Sequence, residues 1–315
     1  MMDLIISKRE LQGGDIVVLD LVGVDGSPLP AFQPGAHIDV EIKPGLIRQY
    51  SLCSDPAHCG SYRLGVLNDP QSRGGSAAIH THFREGQTIR VGEPRNLFPL
   101  DMDAPRSVLI GGGIGITPMI AMAHALHSAG KAFEMHYCVR AKDKAAFLSE
   151  LADAPFRSHV RLHFDDGPSA QHFNPSFDLP AANDGAHIYV CGPSGFMAWL
   201  NEAALSMGYP ASRLHQEYFN MDVSTEGDAF EVVLAKSGQT ITVPTDKTIV
   251  AALAEIGVKV DVSCEQGICG TCLCTLLEGE PDHRDSYLTD EEKADNDQIM
   301  LCCSRSKGPR LVLDL

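Results

Sequence analysis

The cysteines near the C-terminus carry the strongest chemical signal in the chain. Cys264, Cys269 and Cys272 follow a C-x4-C-x2-C spacing, and Cys302 and Cys303 come later. This is the spacing of a plant-type [2Fe–2S] site, with three thiolates from one loop and a fourth from elsewhere. Soft thiolates suit such clusters and also zinc. A zinc knuckle needs a second cysteine pair, and none is evident. A redox dithiol at Cys269–Cys272 would open a helix in a βαβ unit, whereas the surroundings here are rich in Gly and Thr. Disulfides are not expected without a secretion signal. Spacing does not choose between Cys302 and Cys303, although Met300–Leu301–Cys302 continues an apolar strand into the site. Cys53, Cys59 and Cys138 read as ordinary core or surface thiols, and Cys274 as a strand residue facing the same way as Cys272.

A cluster moves single electrons, so the rest of the chain must say where they originate. Arg48-Gln49-Tyr50-Ser51 offers a guanidinium for a phosphate, a phenol ring to stack on a flavin and a hydroxyl near its reactive nitrogen. Arg73-Gly74-Gly75-Ser76, ahead of a helix, forms an anion cradle of backbone amides. Gly111-Gly112-Gly113-Ile114-Gly115-Ile116-Thr117-Pro118 follows a strand and opens a helix. That is the place for a dinucleotide pyrophosphate, with Thr117 as a cap and Pro118 in the first turn. Pro118 stands where G-x-G-x-x-G has its third glycine, and no Gly-Lys-Ser/Thr makes it a P-loop. Asp165-Asp166-Gly167 sits after a strand end, where Asp166 would accept from ribose hydroxyls and repel a 2′-phosphate. Arg140 and Lys142 pull the other way, and the balance favours NADH.

The elements that position these residues fall into three stretches. Residues 1–103 alternate apolar and polar, with strands at 15–21, 37–42 and 62–67 and a short helix at 77–84, as in a small antiparallel β-barrel. Residues 104–222 alternate strand and helix, as in a parallel α/β domain. Its strands are expected at 107–110, 133–139, 160–164 and 187–190. Its helices are expected at 117–129, 144–151 and 194–207, with Trp199 on the apolar stripe of the last. Residues 223–229 read as a linker. Residues 230–315 begin with two short strands and a helix at 248–255 closed by Gly257, followed by the ligand loop. Thr289-x-x-Glu292 has the form of a capping box.

With 315 residues and a net charge of −16, the chain is large enough for several domains and ill suited to nucleic acid. Residues 228–315 hold 16 Asp and Glu against 8 Lys and Arg, an acidic module able to steer towards a basic partner. No apolar run is long enough to cross a bilayer, so no membrane role is expected. The opening Met1–Glu10 reads as a strand rather than a signal peptide, which points to the cytoplasm. The thirteen histidines lack metalloprotease spacing, and His124 and His127 read as surface residues.

Arg48-x-Tyr50-Ser51, Arg73-Gly74-Gly75-Ser76 and Pro94-Arg95-Asn96-Leu97-Phe98, in this order, resemble the flavin domain of the ferredoxin–NADP⁺ reductase superfamily. Together with a C-terminal ferredoxin-like segment, the whole chain is similar to the phthalate dioxygenase reductase family, which includes vanillate O-demethylase reductases. The resemblance implies FMN bound by Arg48 and the Arg73–Ser76 loop, with Tyr50 and Ser51 lining the ring. It also implies a β-grasp ferredoxin domain with Cys302 as the fourth ligand. Gly112, Gly113, Thr117 and the turn Cys191-Gly192-Pro193 would receive NADH, with Cys191 beside nicotinamide and flavin and Phe219 against the flavin. The implied partner is a Rieske-type oxygenase or O-demethylase acting on an aromatic acid or similar small substrate. A cytochrome P450 or another monooxygenase is the alternative acceptor. A redox-sensing or electron-carrying module is the alternative outside enzymes.

Overall fold

The computed structural model describes residues 1–70, 72–221 and 223–315; Asp222, the last residue of the expected α/β domain, lies outside them. The chain divides into two compact units, Met1–Phe219 and Asn220–Leu315.

The first unit opens with seven antiparallel strands: β1 (Met2–Gln12), β2 (Ile16–Gly23), β3 (Ala36–Lys43), β4 (Leu46–Ser51), β5 (Tyr62–Leu67), β6 (Thr88–Val91) and β7 (Arg95–Asn96). They pair in the order β4-β3-β6-β1-β2-β5, with β7 on β3. A bridge between Leu52 and Leu64 joins the two ends of that path, so the sheet closes into a barrel. Inward residues such as Leu4, Ile6, Leu19, Leu21, Ile38 and Val40 fill it. Between β5 and β6 lies α1 (Gly75–His82), which starts two residues before the expected position because Gly74, at φ 85°, forms its cap.

Five parallel strands follow, interleaved with helices: β8 (Ser107–Gly112), α2 (Ile116–Ser128), β9 (Phe133–Val139), α3 (Leu148–Asp153), β10 (Val160–Phe164), α4 (Pro175–Asp178), β11 (His187–Cys191), α5 (Ser194–Ser206) and β12 (Leu214–Glu217). Their order is β10-β9-β8-β11-β12. The chain winds outward from β8 in one direction and then returns to β11 on the other side. That reversal makes the C-terminal ends of β8 and β11 the switch point where such sheets bind ligands. Barrel residues Ile16, Val18, Cys53 and Phe98 share one apolar cluster with Met119, Met122, Tyr137 and Phe147 of the α/β part, which explains their union in one compact unit.

Two expectations need correction here. The helix expected over 144–151 is a 3₁₀ turn at Lys142–Lys144 followed by α3. Phe147 stands between them at φ 61°, with its N–H donating to Gln12 Oε1 and its ring buried, so the chain cannot continue helically. Trp199 is 45% exposed rather than core, and packs edgewise against Phe173.

The second unit contains β13 (Phe230–Leu234), β14 (Thr240–Val243), α6 (Ile249–Glu255), β15 (Leu273–Glu278), β16 (Pro281–Asp282), α7 (Asp290–Asp295), β17 (Gln298–Met300), β18 (Arg305–Ser306) and β19 (Arg310–Leu313). The main sheet runs β14-β13-β19-β15-β17, with β13 and β19 parallel. Ile249, Ala252 and Leu253 of α6 lie in the core with residues of this sheet, a β-grasp arrangement. Thr248 caps α6, Gly257 follows it at φ 81°, and Thr289 and Glu292 form the expected capping box on α7. No helix among the described residues is long and apolar enough to cross a membrane.

Candidate functional site

In the second unit, the segment between α6 and β15 brings the cysteines together. Cys264, Cys269, Cys272 and Cys302 are all buried. The Cys302 thiol engages Cys264, Cys272 and its neighbour Cys303, and Cys269 engages Cys264. Proton sharing with Cys269 and then Cys302 holds the Cys264 thiol well below its usual range, and sharing with Cys302 lowers Cys272. Backbone N–H groups point at the sulfurs: Gln266 donates to Cys264 Sγ at 3.3 Å and Gly267 to Cys302 Sγ at 3.2 Å. Donors of that kind tune a cluster's potential. Gly267 adopts φ 74°, and a Cβ there would lie 2.5 Å from Cys303 Sγ. Cys303 is buried beside Met300 O and Ser304 Oγ, at 3.9 and 3.8 Å. Cys274 is buried apart from the quartet, near Thr275 O at 3.5 Å. The donor set therefore fits a [2Fe–2S] cluster: four convergent thiols, with backbone donors on two of them.

In the first unit, Arg48 and Tyr50 lie two apart on β4 and share one face. The stem of Arg48 crosses the start of α1, where a Cβ on Gly75 would meet Arg48 Cγ at 2.8 Å. The guanidinium and the Gly74–Gly75 amides are thus neighbours, a fit for phosphate. Ser76 lies within α1 and donates to Ser72 Oγ at 2.9 Å rather than capping the helix. Tyr50 is half-buried against the barrel core, and burial raises its phenol pKa well above the usual range.

At the switch point, the turn after β8 packs on the turn after β11. A Cβ on Gly192 would lie 3.0 Å from Gly112 Cα, and one on Gly115 would overlap the Cys191 carbonyl. Thr117 does not cap α2; its hydroxyl donates to Ile114 O at 3.0 Å inside the core, while Gly115 occupies the cap. The Cys191 thiol is fully buried, and burial followed by the nearby Glu217 charge pushes its pKa up. Asp166 is exposed after β10, its N–H donating to Arg140 O at 3.0 Å. Phe219, beyond β12, is 37% exposed.

One member of this site carried no expectation. Glu217 ends β12 opposite Cys191, and its carboxyl accepts from Ser51 Oγ at 3.4 Å. Burial pushes its pKa up to about 8, with the Ser51 hydroxyl opposing. A single acid in a β-strand gives no sequence signal; only the pairing of β11 with β12 and their approach to β4 show it.

Comparisons with known proteins agree with this geometry. Residues 232–307 match a 2Fe-2S iron-sulfur cluster binding domain and residues 109–202 an oxidoreductase NAD-binding domain. The chain is 49% identical to a vanillate O-demethylase oxidoreductase from Pseudomonas sp. (strain HR199 / DSM 7063), over all of both chains. It is 37% identical to a solved phthalate dioxygenase reductase, covering 100% of this chain and 98% of that one, with a TM-score of 0.74. The chain belongs to the phthalate dioxygenase reductase family. It is an oxidoreductase that uses a nicotinamide dinucleotide and a [2Fe–2S] cluster. It is also 41% identical, with a TM-score of 0.85, to a solved type IV self-sufficient cytochrome P450 monooxygenase. All of this chain is covered there, but it spans only 41% of that longer protein.

Proposed function

We propose that this chain is the reductase component of a multicomponent oxygenase, passing electrons from NADH through FMN and a [2Fe–2S] cluster to a Rieske-type partner. The observation that carries this is the convergence, in one chain, of a phosphate cradle under Arg48, a nucleotide switch point at Gly112–Gly192 and a buried thiol quartet. End-to-end similarity to a vanillate O-demethylase oxidoreductase supports an oxygenase acceptor. The division assigns 1–103 to flavin, 104–222 to nicotinamide, 223–229 to a linker and 230–315 to the cluster, with a cytoplasmic location.

In this reading the bound flavin converts a two-electron donor into one-electron steps. The protein's own residues orient and shield. Arg48 and the amides of Arg73–Ser76 hold the phosphate, while Tyr50 and Ser51 line the ring. The Gly112–Gly113 turn, the start of α2 at Thr117 and Gly192–Pro193 receive the dinucleotide, and Asp166 accepts from its ribose. Cys191, kept protonated by burial, would present a neutral group to the reacting rings, and Phe219 would cover them. Cys264, Cys269, Cys272 and Cys302 hold the cluster. No proton transfer by these residues is required; alignment supplies the rate.

A second reading, a reductase for a cytochrome P450, has its own support in the 41% identity to the P450 monooxygenase. Anaerobic mixing of the purified protein with NADH tests the reductase reading. Flavin and cluster absorbance should bleach together, and a protein that lacks flavin or ignores NADH would sink it. Adding a purified Rieske component or a P450 then separates the acceptors by which one is reduced.

A further inference from the structure

Away from the redox residues, the parallel sheet holds a histidine pair on the face covered by α4 and α5. His136 of β9 is 0% exposed and His163 of β10 is 7% exposed. Their rings stack at 5.2 Å, and His136 Nδ1 faces His163 Nε2 at 2.9 Å. Phe173 closes over both rings edgewise, at 5.1 and 5.3 Å. One carboxylate oxygen of Asp178, at the end of α4, completes a trio of donor atoms all within 4.8 Å of one another.

The outer partners decide which ring nitrogens carry protons. His163 Nδ1 lies 3.1 Å from the Gln171 carbonyl, which can only accept, so the proton sits on Nδ1 and Nε2 offers a lone pair. His136 Nε2 has no hydrogen-bond partner, and the charge nearest it is Glu134 Oε2 at 3.8 Å. With His163 Nε2 as acceptor, the 2.9 Å contact is a hydrogen bond donated by His136 Nδ1–H, which leaves His136 Nε2 unprotonated towards Glu134. A metal ion would need to displace only that one shared proton, which can move to His136 Nε2 beside Glu134, to take both facing nitrogens and the Asp178 carboxylate as donors. The carboxylate or carbonyl behind each imidazole is the outer shell that metal-binding histidines show.

We propose that His136, His163 and Asp178 bind a divalent first-row metal ion, zinc(II) by preference, leaving a fourth position for water. Nitrogen and carboxylate donors suit zinc at bond lengths of about 2.0–2.2 Å. Tetrahedral bonds of that length place two nitrogens about 3.3 Å apart, so the rings need to part by only a few tenths of an ångström. Asp178 also accepts from the Asn174 N–H at 2.7 Å and lies 3.9 Å from Arg161, contacts that fix it without using all its lone pairs. The ion would tie β9 and β10 to the segment that begins with Asp165 and Asp166 and ends at Asp178. Nothing in the proposed electron path requires it.

Zinc retention tests the site. The flavin- and cluster-loaded protein is incubated with ZnCl2 in molar excess, desalted, and analysed for zinc and iron. The wild type should retain about one zinc beside its iron. His163→Gln and Asp178→Asn should each weaken zinc binding at least about tenfold, with iron content and flavin absorbance unchanged. Retention equal in wild type and both variants, or none in the wild type, overturns the proposal. Zinc gained at the expense of iron would place it at the cysteines and also overturn it. Asp178→Asn, at the end of a short helix, guards against misfolding of the His163 variant.

Discussion

Ser51 at the end of β4 donates to the carboxyl of Glu217 at the end of β12, across 3.4 Å and 166 positions of sequence. The contact joins barrel and parallel sheet where the proposed flavin and nicotinamide sites meet. Burial there pushes the Glu217 pKa up to about 8 against the pull of the Ser51 hydroxyl, so the carboxyl is mostly neutral at pH 7.

A raised carboxyl pKa makes stability fall as pH rises. Below the unfolded value of 4.5, both states are protonated and the contribution is complete. Between 4.5 and about 8, the folded state keeps a proton that the unfolded state has released, and stability declines through that window. Glu217→Gln cannot ionise and removes this slope. Thermal melts from pH 5 to 9 should show the variant gaining on the wild type by on the order of a few degrees. Ser51→Ala removes the contact that favours the ionised carboxylate and should move the upper end of the window to higher pH. Parallel pH profiles for wild type and Glu217→Gln would refute the assignment.

The cradle at Arg48 makes a separate prediction. Arg48→Ala removes a charge-assisted contact worth about 1.5–3 kcal/mol to a phosphate, so flavin affinity should fall roughly 10- to 100-fold. Gly75→Ala reaches the same place from the other side, since its Cβ would press on Arg48 Cγ at 2.8 Å. Equilibrium dialysis of the deflavinated protein with FMN and with FAD measures both losses. It also reports which flavin the wild type prefers. Unchanged affinity in Arg48→Ala would move the phosphate elsewhere.

For the cluster, Cys302→Ser should abolish or strongly deplete visible iron–sulfur absorbance, while NADH still bleaches the flavin. Cys303→Ser should keep the cluster, because that sulfur, though it engages Cys302, is not among the partners that bring Cys264 and Cys272 into the quartet. Gly267→Ala should lower loading, since its φ of 74° and the 2.5 Å approach to Cys303 Sγ leave no room for a methyl group. Iron per chain and circular dichroism in the visible region read all three. Cluster loss in Cys303→Ser alone would shift the ligand register by one.

These residues also show what the sequence makes legible. The cysteine loop is local: spacing, glycines and capping residues lie within one window, so chemistry and backbone can be read together. The strand–Gly–helix turn at Gly111–Pro118 is legible for the same reason. Thr117 misled because a hydroxyl before a helix looks like a cap, whereas the 3₁₀ turn at Gly113–Gly115 already starts the helix and turns Thr117 inward. Trp199 misled because a stripe on a helix does not say how much of the sheet lies beneath it. Glu217 and the pair His136–His163 stayed hidden because they depend on strand order, which sets which distant residues become neighbours.

The charge of the second unit yields the last prediction. Glu278, Glu280, Asp290, Glu291, Glu292, Asp295 and Asp297 are exposed. Asp285 is not part of that surface: it is 6% exposed and its carboxyl accepts from the Leu288 N–H at 2.9 Å. Asp282 is neutralised by Arg284, whose Nη2 lies 2.6 Å from it. Glu280 is paired with Lys307 Nζ at 3.0 Å, so the remaining charge centres on α7 and its flanks, where three acids occupy the first turn. Exposed charges act through long-range steering that salt screens within about 10 Å at 0.1 M. The second-order rate of electron delivery to the oxygenase should fall as ionic strength rises, and Glu291→Lys should lower it several-fold at low salt but little at high salt. Flavin reduction by NADH should be the same in both proteins. Stopped-flow traces with purified partner measure each step, and a flat salt profile would remove α7 from the docking face.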